Sequence, residues 1–245
     1  MKLGNNYIFF DTLTSTNTYA QTLLRTEDVP EGTVIRAAYQ TSGRGQMGNT
    51  WESDHGKNLL FSVILMPGRI EPSSQFLISM SVSLAVTDFL GKYVNDCKIK
   101  WPNDIYIRSD KIAGILIENS LMNDIIATSV AGIGINLNQK YFPANAPNAT
   151  SLSIVTGNEY NTDECYKELI SDLDRHYSNL RQENAEKIRK DYLSRCYKLD
   201  EWNIFTDLNG KFEGRIIDIR TDGPAVIEDK KGKRREYYFK EVEFR

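Results

Sequence analysis

The sequence predicts an α+β chain that ends in a small all-β module, and three observations carry that expectation. Strand-like runs with two-residue alternation crowd residues 97–138, joined by turns too short for anything but antiparallel neighbours. Stretches with helical spacing occupy residues 73–94, 162–181 and 185–197. From Trp202 the pattern changes to short strands punctuated by Asp222-Gly223-Pro224 and Lys231-Gly232, as in a β-barrel of roughly 45 residues. Two units follow, 1–198 and 199–245. The second is too small to bury much core alone, so it is expected to pack on the first.

Taken in order, Tyr7 to Leu13 alternates well enough for a short strand. "TSTN", Thr14 to Asn17, follows as a helix start, because hydroxyls and an amide cap the orphan amides of a helix running to about Leu24. "TVIRAAYQ", residues 33–40, and "NLLFSVIL", residues 58–65, are strands. The glycine-rich segment between them is expected as a hairpin-like connection with a long, mobile tip, and long loops in a compact domain are usually functional. Phe76, Met80, Leu84, Phe89 and Leu90 then mark a long core helix behind Pro72. "CKIKWPNDIYI", 97–107, and "KIAGILIENS", 111–120, read as two strands joined at "RSDK", with "IIATSVAGIGINLN", 125–138, as a third. A Pro/Asn-rich loop, 141–151, leads to the two late helices, the first with Cys165, Leu169, Leu173 and Leu180 on one face.

Composition excludes several classes. With 40% hydrophobic and 26% charged residues the chain reads as an ordinary globular protein. Its longest apolar run, Leu59 to Met66, is far too short for a bilayer, and the N-terminus lacks the pattern of a secretory leader, so no membrane segment and a cytoplasmic location are expected. The 3 cysteines, Cys97, Cys165 and Cys196, are too scattered for a disulfide framework or a C-x-x-C pair. A net charge of −3 argues against a nucleic-acid footprint. The cluster Lys230, Lys231, Lys233, Arg234 and Arg235 reads as a solvated hairpin tip, with docking of an acidic partner as the other reading. The 2 histidines, His55 and His176, read as structural.

"QTSGRGQMGNTW", residues 40–51, raises the question of ligand class. Gly43, Gly45 and Gly48 match the spacing of a dinucleotide-binding turn, but such a turn must open into a helix that holds the pyrophosphate. Here turn formers and then a strand follow, so the match is incidental. Two readings stand. Either the loop is a flexible surface segment with a solvated Arg44, or its glycines fold over a ligand whose carboxylate or phosphate Arg44 neutralises, ordering as substrate arrives.

Trp101-Pro102-Asn103-Asp104 likewise reads as an Asx-type turn or as part of a site. Lys111 opens an otherwise apolar strand, with Gly114 behind it. Across a hairpin Asp104 and Lys111 fall at the same end of neighbouring strands, where a surface ion pair worth at most about 1 kcal/mol is the plain alternative. "AGIGIN", 131–136, puts Gly132 and Gly134 in a strand expected to be central, where glycine weakens the strand unless a ligand or another backbone comes close. Asn136, at its end, is a candidate ligand contact.

Together, Ser15 to Asn17, Gln40 to Trp51, "KWPNDIYI" at Lys100 to Ile107, "KIAGILIE" at Lys111 to Glu118 and "GIGIN" at Gly132 to Asn136 resemble, in order and spacing, the biotin protein ligases or holocarboxylase synthetases. The resemblance spans the chain, and the combination of G-R-G, K-W-P-N-D and K-x-x-G-I-L is highly specific. It implies a class II synthetase-like domain, with a mixed, largely antiparallel sheet and helices packed on one side, followed by an SH3-like barrel. It implies that ATP and Mg²⁺ activate biotin to biotinyl-adenylate, whose acyl group passes to a lysine of a biotin carboxyl carrier domain of a carboxylase. Residue by residue, it gives Ser15, Thr16 and Gln40 to the biotin head group. Gly43, Arg44, Gly45, Gln46, Met47 and Gly48 form a loop over biotin and adenylate, and Lys111 meets the biotin carboxylate and α-phosphate. Gly114 and Gly132 line the pocket, Trp51, Asn103 and Asn136 lie near the nucleotide, and Asp104 orients or deprotonates the acceptor lysine. No prosthetic group and no protein ligand for the metal are assigned, and homodimerisation is left open.

The chemistry asks for these residue types. A carboxylate attacking a phosphate brings anions together, so cations must screen the charge that develops. The acceptor ε-amine is protonated near pH 7 and must lose its proton before attack. Some family members read G-R-G-R-R-G-R where this chain has Gln46, Met47 and Asn49, so contacts of those cations do not carry over and weaker retention of the adenylate is expected. A lipoate or octanoate ligase is the enzyme alternative, but its R-R-x-x-G-G-G and H-D signatures are absent. A biotin-responsive repressor is the other, and the first motif, at Thr14, is expected to leave no room for a helix-turn-helix. A biotin-binding module without catalysis is disfavoured by Lys111 and Asp104 together.

Overall fold

A computed structural model describes residues 2–68, 70–182 and 184–244. β1 (Tyr7–Leu13), β2 (Val34–Gln40), β3 (Leu59–Leu65), β4 (Cys97–Lys100), β5 (Asp104–Ile107), β6 (Asp110–Met122) and β7 (Ile125–Ile135) form a seven-stranded sheet in the order β1-β2-β3-β7-β6-β5-β4. β1 and β2 are parallel, which requires a crossover, and α1 (Thr16–Thr26) supplies it. The remaining neighbours are antiparallel, so the sheet is mixed and largely antiparallel, as the family resemblance implied.

Strand alternation divides the sheet into two unlike faces. Leu59, Phe61, Val63 and Leu65 of β3 share one face with Ala131, Ile133 and Ile135 of β7. α2 (Phe76–Gly91) and α4 (Thr162–Arg181) cover it, with α5 (Ala185–Ser194) packed against both helices, while the short α3 (Leu152–Thr156) follows the loop after β7. With the turn before it, α2 is long and apolar enough to cross a membrane by composition alone. Here Ile78, Met80, Ala85, Phe89 and Leu90 are buried against the sheet and its neighbouring helices, and apolarity all round is the mark of a core helix.

α1 lies on the other face, packing Ala20 and Leu23 against Ile35, Ile64 and Val130. Past α1, the pairing sets Gly114 opposite Gly134 and Leu116 opposite Gly132, and Ser62 of β3 flanks Gly132 from the other side. The glycines leave the sheet surface without side chains there. That bare patch is the floor of a cavity.

Three expectations are corrected. Residues 97–107 are two antiparallel strands, with Lys100 opposite Asp104, because Pro102 cannot donate to a ladder and the chain folds back at Trp101–Asn103. The helix expected over 185–197 ends at Ser194, since Ile99 N donates to Arg195 O and Tyr197 N to Ile99 O, which drafts these residues beside β4. α3 was missed; Ser151 caps it and Gly157, in the left-handed region, ends it.

A second sheet follows: β8 (Asn203–Asp207), β9 (Gly210–Ile219), β10 (Ala225–Asp229), β11 (Arg234–Tyr237) and β12 (Glu243–Phe244), antiparallel in the order β11-β10-β9-β8-β12. It matches the SH3-like module. Its Phe205, Ile216, Ile219 and Ile227 join the same continuous core as α2 and β6. Trp101 Nε1 donates to Gly223 O at 2.9 Å, and Phe76 N to Thr221 O at 2.9 Å. The basic hairpin tip is partly neutralised within its own module, by Lys230–Glu213, Arg234–Glu228 and Arg235–Asp229 pairs.

Candidate active site

A cavity of about 620 Å³ opens over the bare patch. The start of α1 forms one wall. Ser15 caps the helix, and Thr16 donates to Gln40 Oε1 from its backbone N at 2.7 Å and its hydroxyl at 3.1 Å. Gln40's oxygen is thus occupied and its amide nitrogen is left to donate. Asn17 fills the space above Gly132, with Oδ1 2.6 Å from Ser62 Oγ and Nδ2 donating to Glu118 Oε2 at 2.9 Å. A Cβ on Gly132 would stand 2.1 Å from Asn17 Oδ1, so close approach, and no turn, demands glycine there.

Residues 43–51 form the roof. The long tip of the connection doubles back as a flap: Trp51 N donates to Gly43 O at 2.9 Å and Gly45 N to Asn49 O at 2.7 Å, around a single turn at Gln46–Gly48. Arg44 forks onto Glu118, with Nη2 2.8 Å from Oε1 and Nη1 3.2 Å from Oε2. Trp51 packs its indole on the glycine pair, where added Cβ atoms would approach ring atoms to 2.6 Å at Gly134 and 2.9 Å at Gly114.

Lys111 Nζ stands 5.7 Å from the centroid of the Trp51 ring and 2.6 Å from Asp104 Oδ1. Simple alternation puts Lys111 and Gly114 on opposite faces, being an odd number of residues apart. The ladder corrects this: Ile105 pairs with Ala113 and Tyr106 with Lys111, so Ile112 is the extra residue of a bulge that returns Lys111 to the cavity side. Asn103 holds that corner by donating from Nδ2 to Ile115 O at 2.7 Å. Lys100 adds a cation over the Tyr106 ring. Burial pushes its pKa below the ordinary lysine value, with repulsion from Lys111 and Lys198 adding to this against the pull of Asp104.

An arginine flap, a lysine–aspartate pair and a capped helix start over one glycine floor are four separate chain segments converging on one ligand-sized space. A family model for the biotin/lipoate A/B protein ligases matches residues 9–136, the part of the chain that builds this floor, roof and helix wall. The chain belongs to the biotin/lipoate A/B protein ligase family. The bifunctional ligase/repressor of Bacillus subtilis is 30% identical over 243 residues, covering 96% of this chain and 73% of that one. The biotin–(acetyl-CoA-carboxylase) ligase of Paracoccus denitrificans is 28% identical over 213 residues, 81% of this chain and 85% of its own. The biotin protein ligase of Aquifex aeolicus, solved with biotin and ATP, superposes with a TM-score of 0.81 at 27% identity, covering 98% of this chain and 99% of that one. These relatives set the ligase among the enzymes that attach biotin.

In the ligase, Ser15, Thr16, Gln40, Arg44, Gly45, Gln46, Trp51, Asn103, Asp104, Lys111, Gly114 and Gly132 all line the cavity. Gly43 lies behind the roof, where a Cβ would meet Trp51 O at 2.2 Å, and Gly48 faces open space. Met47 is exposed at φ 53°. Asn136 is buried outside the cavity wall, donating to Thr150 O at 2.9 Å, with its Oδ1 left without a protein partner. His55 and His176 lie away from the cavity, paired with Asp11 and Asp88. Sequence reasoning gave no role to Asn17, Ser62, Lys100, Glu118, Phe239 or Lys240. Asn17, Lys100 and Glu118 stood inside the quoted motifs, and period-two alternation from Gly114 was a signal for Glu118; nothing local marked Lys240.

Proposed function

We propose that this ligase condenses biotin with ATP and then biotinylates a lysine on a carrier domain. A biotin carboxylate oxygen attacks the α-phosphorus, the bond to the β-phosphate oxygen breaks, and pyrophosphate leaves. The acceptor lysine's deprotonated nitrogen then attacks the acyl carbon, and AMP departs with the anhydride oxygen. The observation that carries the reading is the Lys111–Asp104 pair at 2.6 Å beside the glycine floor and under the Arg44 flap. Likeness to the Aquifex ligase solved with biotin and ATP supports it.

Each side chain has a chemical task. Ser15, Thr16 and the free amide nitrogen of Gln40 suit the neutral, hydrogen-bonding ureido ring of biotin. Lys111 meets the reacting carboxylate and α-phosphate, where it offsets charge brought together in the transition state. Arg44 adds a second cation from the flap, and the roof excludes water from the mixed anhydride. Trp51, with Asn103 nearby, belongs to the nucleotide, while Asn136, outside the cavity wall, supports the end of its strand through Thr150 O. Asp104 orients the acceptor ammonium and takes its proton once Lys111 has turned to the phosphate. Among the described residues no group of three or more His, Cys, Asp and Glu side chains is placed to hold a metal, so Mg²⁺ would be held mainly by ATP itself and would supply charge neutralisation at the phosphates.

Biotin-dependent ATP–pyrophosphate exchange, with lipoate and octanoate as controls, tests the proposal. Exchange with biotin alone is expected; exchange with lipoate in its place would transfer the assignment to the other branch of the family, and none with any acid would remove it.

A further inference from the structure

The flap carries one cation, Arg44, to meet a triphosphate, while Lys100 and Lys111 serve the cavity from the strands below. Arg44 is tied to Glu118 and Lys111 to Asp104. Gln46, Met47 and Asn49 bring no charge. The second sheet supplies one. Lys240, from the turn between β11 and β12, lines the cavity, and its ammonium donates to Met47 O at 2.9 Å across 193 residues of chain. A carbonyl oxygen leaves its positive charge uncompensated, and no carboxylate among the described residues pairs with it.

The backbone holds Lys240 in that place. It sits at φ 69°, in the left-handed region where a lysine is strained, and such strain survives only where the surroundings impose it. Its turn is closed by Glu241 N donating to Tyr238 O at 3.1 Å and by Tyr238 N donating to Glu241 Oε2 at 2.7 Å. Phe239, next to it, meets Trp101 edge to face at 6.5 Å, and Trp101 is bonded in turn to Gly223 O. The ammonium is therefore delivered to the mouth of the cavity by a fixed scaffold, while its four-carbon stem lets it swing.

We propose that Lys240 is a nucleotide-phosphate ligand contributed by the SH3-like module, exchanging the Met47 carbonyl for a phosphate oxygen of ATP and so replacing charge that the flap lacks. The proposal rests on the biotin ligase reading of the cavity. It makes the module part of the nucleotide site of this chain, through one residue that no catalytic motif contains.

The test compares wild type, Lys240→Ala and Lys240→Arg in the full-length protein. Binding of a non-hydrolysable ATP analogue and of biotin is measured by calorimetry, and KM for ATP by pyrophosphate exchange. Lys240→Ala is expected to weaken ATP binding and raise its KM about tenfold, the loss of one charge-assisted contact, with biotin binding unchanged and Lys240→Arg restoring most of it. The residue is exposed, so thermal melts of the three proteins should coincide. Wild-type affinity for ATP in Lys240→Ala, with exchange intact, would overturn the role of Lys240 alone. A wild type that binds neither ATP nor biotin would overturn the cavity reading and this proposal together.

Discussion

Replacing Gly132 by alanine tests how the glycine floor and the helix wall are joined. The new Cβ would lie 2.1 Å from Asn17 Oδ1, against 3.4 Å for an ordinary contact, so the Asn17 carboxamide must withdraw. It is held by Ser62 Oγ at 2.6 Å, Glu118 Oε2 at 2.9 Å and Leu116 O at 3.3 Å, with Asn17 and Ser62 themselves buried. Displacing it breaks two good hydrogen bonds and leaves buried groups unsatisfied, which together with overpacking costs about 3 kcal/mol. For a chain of this size that corresponds to a fall in Tm of about 6–12 °C. Because Ser15 and Thr16 precede Asn17 on the same helix start, KM for biotin should rise as well. Asn17→Ala alone, which keeps the floor but removes the bonds, should cost about 2 kcal/mol. Combining the two should cost little more than Asn17→Ala, since the alanine then enters vacated space, giving a coupling near 3 kcal/mol. Urea unfolding of the four proteins measures it. Additivity within about 0.5 kcal/mol would refute the claim that Gly132 exists to admit Asn17.

Three further outcomes are expected. Lys111→Ala should abolish biotin-dependent exchange, whereas Asp104→Ala should slow transfer to the carrier lysine far more than exchange; equal losses in both steps would contradict the division of labour. Gln46→Arg should slow release of the adenylate, read by quench-flow or dilution of a radiolabelled intermediate, and an unchanged rate would remove the argument from missing flap cations. Asp88 should govern acid stability. Burial works to raise its pKa, but hydrogen bonds from His176, Arg195 and Arg175 prevail and hold it well below the usual carboxylate range. The unfolded chain therefore takes up a proton near pH 4 that the folded chain refuses, so this stability is present above that pH and drains away as pH falls below it. Asp88→Asn should cost about 2 kcal/mol at pH 7, where one side of a charged network is lost, and flatten the acid limb of the stability curve; a limb as steep as wild type would place the effect elsewhere.

Much of the site was legible because its motifs are local. Ser15 to Asn17 announce a helix start, Gly43 to Trp51 a backbone that doubles back, and both features depend on residues within a few positions of each other. Element types were legible for the same reason, since alternation and helical spacing are short-range patterns. Boundaries failed where distant chain intervened, as at residues 195–197, which β4 recruits through Ile99. The fold-back at Trp101–Asn103 was misread because the apolar runs on either side look like one strand.

What the sequence by itself determined is the chemistry on offer: the family motifs, an α+β chain with a β-rich end, a lysine and an aspartate a hairpin apart, and an arginine among glycines. What the tertiary structure alone decided is which groups meet. Ile112 bulges so that Lys111 turns toward Asp104, Glu118 takes Arg44 across 74 residues, and Trp51 lies on Gly114 and Gly134. Lys240 reaches the flap from the far end of the chain. Such contacts are set by strand register and by the docking of one sheet on another. No window of neighbouring residues encodes them, because their partners become neighbours only when the whole core has closed.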